Sequence, residues 1–339
     1  MSIDISLITE ADTWDRYVDQ SPGTGPFHHH GALVTLADHS GATPHLLAGF
    51  KGQEPVGVFP VFELAVGPIA TAFSPPPDLR VPYLGPAVLN MAKLKSRKAD
   101  RRRRRFIEGC LDYIADTIAP RYTHVRTDRR YRDTRPFKYR DWQVTPNYTY
   151  AVALDAPPED LLMRMSSDAR RNVRNTDGDR YTIAEGGPDD AIRILDQVRA
   201  RYAAQDIEYR IDEAFVRELI DRTPAGVVRP YACRVDGEFA GGILALEDED
   251  TIYRRQGGVK TDVDLPVNDL LDWHLVTEGV ERGLDWYDLV GAEDPRINEY
   301  KSKFAPELQT YYSLTDSGRV TGALAGAYDR LRNAGPFTK

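Results

Sequence analysis

Cysteine is nearly absent from this chain, with two residues, Cys110 and Cys233, in 339. Two thiols can build neither a disulfide framework nor a four-thiolate zinc site. Each falls in a predicted helix or strand with no neighbouring histidine, and both are expected in the core. No apolar run approaches the ~20 residues needed to cross a bilayer. The first residues, Met1-Ser2-Ile3-Asp4-Ile5-Ser6, show neither the basic nor the apolar region of a signal peptide, so a soluble, cytoplasmic protein is expected. Also missing are a Gly-x-x-x-x-Gly-Lys-Ser/Thr loop, a Gly-x-Gly-x-x-Gly after a strand and a Gly-x-Ser-x-Gly elbow. Nucleotide hydrolysis, dinucleotide redox chemistry and serine hydrolysis thereby lose their usual signatures. The tract His28-His29-His30 is no metal site by itself, because adjacent residues of an extended segment face opposite ways. Packing in a loop or interface is expected there.

Lysine is scarce at 9 against 35 arginines, and glutamate at 17 against 35 aspartates. Short carboxylates keep a surface hydrated, so this bias suits a high-salt or high-GC origin, a haloarchaeon being one such source. The net charge is −8, yet Lys93, Lys95, Arg97, Lys98 and Arg101 to Arg105 stand against Asp100 alone in one short stretch. Two readings of this cluster stand: a phosphate or RNA contact, or the solvated first turn of the helix that continues through Phe106–Ile114.

What is present is one order of elements written twice. Strand, helices, a three-stranded meander, helix and strand occupy the first half. The second half repeats them, with Asp236-Gly237 as a strong hairpin turn. At this length two folding units are expected. The pattern predicts an α+β fold of two tandem domains, each a mixed, mostly antiparallel sheet flanked by helices. The expected division is 1–146, 147–316, and a C-terminal segment 317–339 whose helix packs back on the first domain.

In the second half, Tyr253-Arg254-Arg255-Gln256-Gly257-Gly258, then Leu265-Pro266-Val267-Asn268-Asp269-Leu270-Leu271-Asp272-Trp273-His274, then Trp286-Tyr287-Asp288-Leu289-Val290-Gly291-Ala292, lead to Tyr300-Lys301-Ser302-Lys303-Phe304. This series resembles the Fem-type branch of the GNAT acyltransferase superfamily, together with the CelD/BioF-like acyltransferases. In the first half Trp14, Phe27-His28, Val56-Gly57-Val58-Phe59-Pro60-Val61, Ser74-Pro75-Pro76 and Leu84-Gly85-Pro86 are similar to that branch's first domain. The stretch from Ser166 to Arg174 is similar to its arginine-bearing helix. The resemblance implies tandem GNAT-like domains and transfer of an acyl or aminoacyl group from a carrier, aminoacyl-tRNA or acyl-CoA, to a small-molecule or peptide amine. It implies no tightly bound cofactor. The usual GNAT pyrophosphate loop is missing, since Gly257–Pro266 is acidic and lacks its spacing.

Acyl transfer to an amine needs a neutral amine, a place for charge on the tetrahedral oxygen, and grip on the carrier. For the oxyanion the resemblance points to Lys301 and Lys303, near the stretch where a lysine of the branch serves the acyl carbonyl; the other reading is an exposed pair on a short helix. Asp288, mid-strand among apolar neighbours, is read as a base for the acceptor amine or as one half of a buried salt bridge. Arg170 and Arg174 fall on one helix face, with Arg171 beside them, as phosphate contacts or as a solvated face. Arg255 joins this substrate-binding set, and Asn268 is a helix cap or a substrate contact. The alternative to an enzyme is a non-catalytic GNAT-fold binding protein whose basic cluster contacts RNA.

Overall fold

The computed structural model describes residues 3–260 and 263–317, and these divide into two units, 3–147 with 310–317, and 148–309. In the first unit β1 (Asp4–Leu7) leads through α1 (Ala11–Asp19) and α2 (His30–Ser40) to a meander of β2 (Thr43–Lys51), β3 (Glu54–Val66) and β4 (Ile69–Ser74). The short β5 (Ala87–Val88) pairs with β3, and α3 (Ser96–Tyr113) crosses back to β6 (Tyr122–Arg126), which lies parallel to β4. After α4 (Arg135–Lys138), β7 (Gln143–Ala153) carries the chain into the second unit.

There α5 (Pro158–Arg164) and α6 (Ser167–Asn175) precede β8 (Tyr181–Glu185), α7 (Pro188–Ala203) and α8 (Glu213–Arg222). A second meander follows, β9 (Val228–Val235), β10 (Glu238–Glu247) and β11 (Thr251–Val259), then α9 (Val267–Glu281) and β12 (Trp286–Asp288), which lies parallel to β11. Finally α10 (Pro295–Lys301) and β13 (Glu307–Asp316) return the chain to the first unit. The strand order is β1-β2-β3-β4-β6-β13 in one unit and β7-β12-β11-β10-β9-β8 in the other. The plan is thus repeated, and the fold is α+β with a mixed, mostly antiparallel sheet flanked by helices in each unit.

The hairpin turns follow their sequences. Asp236 and Gly237 both adopt positive φ, at 50° and 86°, the geometry that a two-residue link between twisted strands requires. Three details depart from the sequence reading. The strand expected at 310–314 to close the second domain is part of β13, which hydrogen-bonds to β6, and it falls in the first unit. The strand expected over 286–290 stops at Asp288, because Val290 turns to φ +54°. The edge strand β8, five residues long and mostly solvent-facing, carries too few apolar positions to announce itself. The helix expected over 320–333 lies outside the described residues. Among the described residues no helix is long and apolar enough to cross a membrane.

Each unit has its own core, with Cys110 in one and Cys233 in the other, both buried. In the first core the ring of Phe106 on α3 lies flat on the paired Gly49 and Gly57, where a Cβ at either position would meet it at 2.3 Å. Gly57→Ala should therefore push the helix off the sheet and destabilise the unit by about 1–3 kcal/mol, the usual range for overpacking. A denaturant midpoint measures this, and Phe106→Leu in the same chain should recover part of the loss.

Candidate active site

In the second unit β11 and β12 stay paired for three residues, ending at Tyr253 opposite Asp288. Beyond that pair β11 continues against β10 alone while the other chain turns away, so the sheet splits. A bulge lies just past the split: Leu244 pairs with Gln256 and Ala245 with Arg254, leaving Arg255 as the extra residue. As a result Arg255 and Gln256 share one side of the sheet. Arg255 lies 5.3 Å from the ring centre of Phe215 on α8 and donates to Gln256, which also accepts from Tyr209. Arg254 faces the other side, toward α9.

There it meets Asp272, which is wholly buried. Arg254 Nε donates to Asp272 Oδ1 at 2.7 Å, and the hydroxyls of Tyr287 and Tyr300 donate to the same carboxylate. Burial and the nearby Asp272 charge push both phenols well above their usual range. Gly257 makes room for the arginine, since a Cβ there would stand 3.1 Å from Arg254 Nη2.

Past Asp288 the chain makes a strained turn. A β-branched residue at positive φ is rare, and Val290 is held there from both sides. Its N–H donates to Asp288 Oδ1 at 2.7 Å, and the Gly291 N–H to Thr149 Oγ1 at 2.9 Å. Thr149 Oγ1 in turn donates to Asp288 at 2.6 Å. The carbonyls of Val290 and Gly291 both accept from Lys301 Nζ, each at 2.7 Å. Lys301 is 9% exposed, and burial, with Arg254 nearby, brings its ammonium down to about 8.

The expected site residues therefore separate. Lys301 and Asp288 come together at the split, with Asp288 fully buried and bracing the turn through Thr149 and the Val290 N–H. Lys303 is drawn off to Asp168 at 2.9 Å, which raises its own pKa. Two of the α6 arginines have partners within the second unit. Arg170 caps the end of α5 through the carbonyls of Met163 and Met165, and Arg174 pairs with Glu159. Arg171 points to solvent. Asn268 is not the α9 cap, since Pro266 holds that position; it is exposed on the wall of a cleft. Arg254, Asp272, Tyr287, Tyr300 and Thr149 were not chosen from sequence, though most sit inside the quoted motifs, because nothing local signals a carboxylate that collects three donors.

The basic cluster of the first unit is partly used up at home. Lys93 and Arg102 both bind Glu54, at 2.7 and 2.9 Å, with Arg102 buried, and Arg104 reaches Glu108 at 3.6 Å. Three of the nine cations thus have acidic partners within the unit. His28 is buried as a neutral ring between the Gly25 N–H and the Gly85 carbonyl, its pKa lowered to about 4 by burial.

Residues 163–302, all within the second unit, match the family described as Acetyltransferase (GNAT) domain. The whole chain is similar in fold to the crystal structure of FemX, with a TM-score of 0.71 at 11% identity over 91% of this chain and 96% of that one. It is also similar in fold to L-PGS from Bacillus licheniformis, with a TM-score of 0.59 at 13% identity over 97% and 99% of the two chains. Comparison with curated proteins gives no match.

Proposed function

We propose that this protein is an N-acyltransferase that moves an acyl or aminoacyl group from an activated carrier to an amine, with the chemistry at the split in the second sheet. The observation that carries this reading is Lys301. Its ammonium is buried, fixed by two backbone carbonyls at the point where the strands part, and has one donor left. A fixed cation in a water-poor site stabilises charge as it develops on a tetrahedral oxygen. The amine nitrogen attacks the acyl carbon, the carbon–oxygen or carbon–sulfur bond to the carrier breaks, and the amine loses a proton. The N–H groups of Val290 and Gly291 are already spent on Asp288 and Thr149, so backbone donors to the oxyanion come from the β11 edge instead.

Aminoacyl-tRNA is the favoured carrier. α9 carries Asp269 in its first turn, a negative charge where a pyrophosphate on the helix N-terminus would lie. Incubation of the full chain with charged tRNA, and separately with acetyl-CoA, while following acyl loss, tests this. Loss from charged tRNA is expected. Loss from acetyl-CoA alone would reassign the carrier, and loss from neither, with a cell-extract acceptor present, would overturn acyl transfer.

A further inference from the structure

One cleft of the second unit has a buried carboxylate in its wall. It encloses about 340 Å³ between the end of β11 (Val259, Lys260), the entry to α9 (residues 265–269) and Tyr300. Asp269 lines it, although the residue is only 4% exposed. Asn172, reaching over from α6, donates to Asp269 Oδ2 at 2.6 Å, and among the described residues nothing donates to Oδ1. Lys303 feels the charge of Asp269, yet its Nζ is bonded to Asp168 at 2.9 Å. The rest of the wall is equally fixed, with the Tyr300 hydroxyl tied to Asp272. The Asp269 carboxylate, held by one amide at Oδ2, can accept a ligand N–H at Oδ1.

We infer that Asp269 binds a primary ammonium group, so that the cleft takes a cationic amine and not the phosphate that a helix N-terminus ordinarily attracts. The inference rests on the proposed acyl transfer for the origin of that amine, which is either the α-ammonium of an aminoacyl donor or the acceptor before it loses its proton. Lys260 on the facing wall adds a charge of opposite sign, which suits a group carrying both an ammonium and an electron-rich oxygen. Asp269 is thus a binding residue distinct from Lys301.

Three small probes separate these cases by ligand-observed NMR on the full chain. Alaninamide carries an α-ammonium beside a carbonyl, propionamide has nearly the same shape without the ammonium, and n-butylamine has the ammonium without the carbonyl. The wild type should bind alaninamide about tenfold or more tightly over propionamide, the scale of one hydrogen bond to a charged group. Asp269→Asn should abolish that preference, with a thermal melt confirming the fold. Asp269→Ser serves as a second charge-removing variant should the first not fold. Alaninamide bound more tightly than butylamine assigns the ammonium to the donor, and butylamine bound as tightly or more so assigns it to the acceptor. No preference for alaninamide over propionamide in the wild type, or a preference that survives in the folded variants, overturns the inference. The readout needs no turnover, so its failure leaves acyl transfer to the carrier assay, and failure of that assay leaves this measurement intact.

Discussion

Lys301→Met should lower turnover by roughly 10²–10³, the scale for loss of one oxyanion donor, while the affinity for the acyl carrier changes much less. Methionine keeps the stem that fills the space and removes the charge that the proposed reaction uses. The two carbonyls that Lys301 holds lose their donor, so some loss of stability is expected as well, and a melt separates the two effects. Lys303→Met should have a much smaller effect on rate, since that ammonium is committed to Asp168 at the surface. The pH profile gives an independent check with a definite sign. Lys301 titrates near about 8, and the protonated form is the one that stabilises an oxyanion. Turnover should therefore fall as pH rises through about 8. A rate that climbs through the same range in the wild type and equally in Lys301→Met would report deprotonation of the acceptor amine and leave Lys301 without the assigned role. Near-normal turnover in Lys301→Met would remove it from the chemistry altogether.

Asp272→Leu should produce the largest loss of stability. The carboxylate has no exposure and collects Arg254, Tyr287 and Tyr300. Removing it leaves a buried guanidinium without its counter-charge and two hydroxyls without an acceptor, a change that commonly costs about 3–5 kcal/mol. A urea or guanidinium titration measures it. Adding Arg254→Met to the same chain should restore much of the loss, because an apolar replacement of a buried ion pair is often close to neutral. If the double variant is no more stable than the single, the cost lies in the tyrosines, and Asp272→Asn, which can still accept from both, should then be the milder change.

The sequence by itself determined the duplicated plan, the hairpins and the region of the site. Each of these is local: alternating apolar runs, a turn such as Asp236-Gly237, and a lysine in a lysine-poor chain, all legible within a few residues. What each side chain does was decided only by tertiary structure. The bulge at Arg255 turned the choice between two adjacent arginines toward Arg254, a displacement that strand alternation does not reveal. Lys301 and Lys303 look alike in sequence, yet one finds two carbonyls after a strained turn ten residues upstream and the other finds Asp168 on α6. Arg170, with spacing suited to a phosphate, is claimed by the carbonyls at the end of α5. Asp269 meets Asn172, and Asp288 meets Thr149, across 97 and 139 residues. Desolvation and hydrogen-bond pairing, which select among chemically equivalent residues, depend on which distant groups arrive beside them, and that is known only once the sheet and its helices have come together.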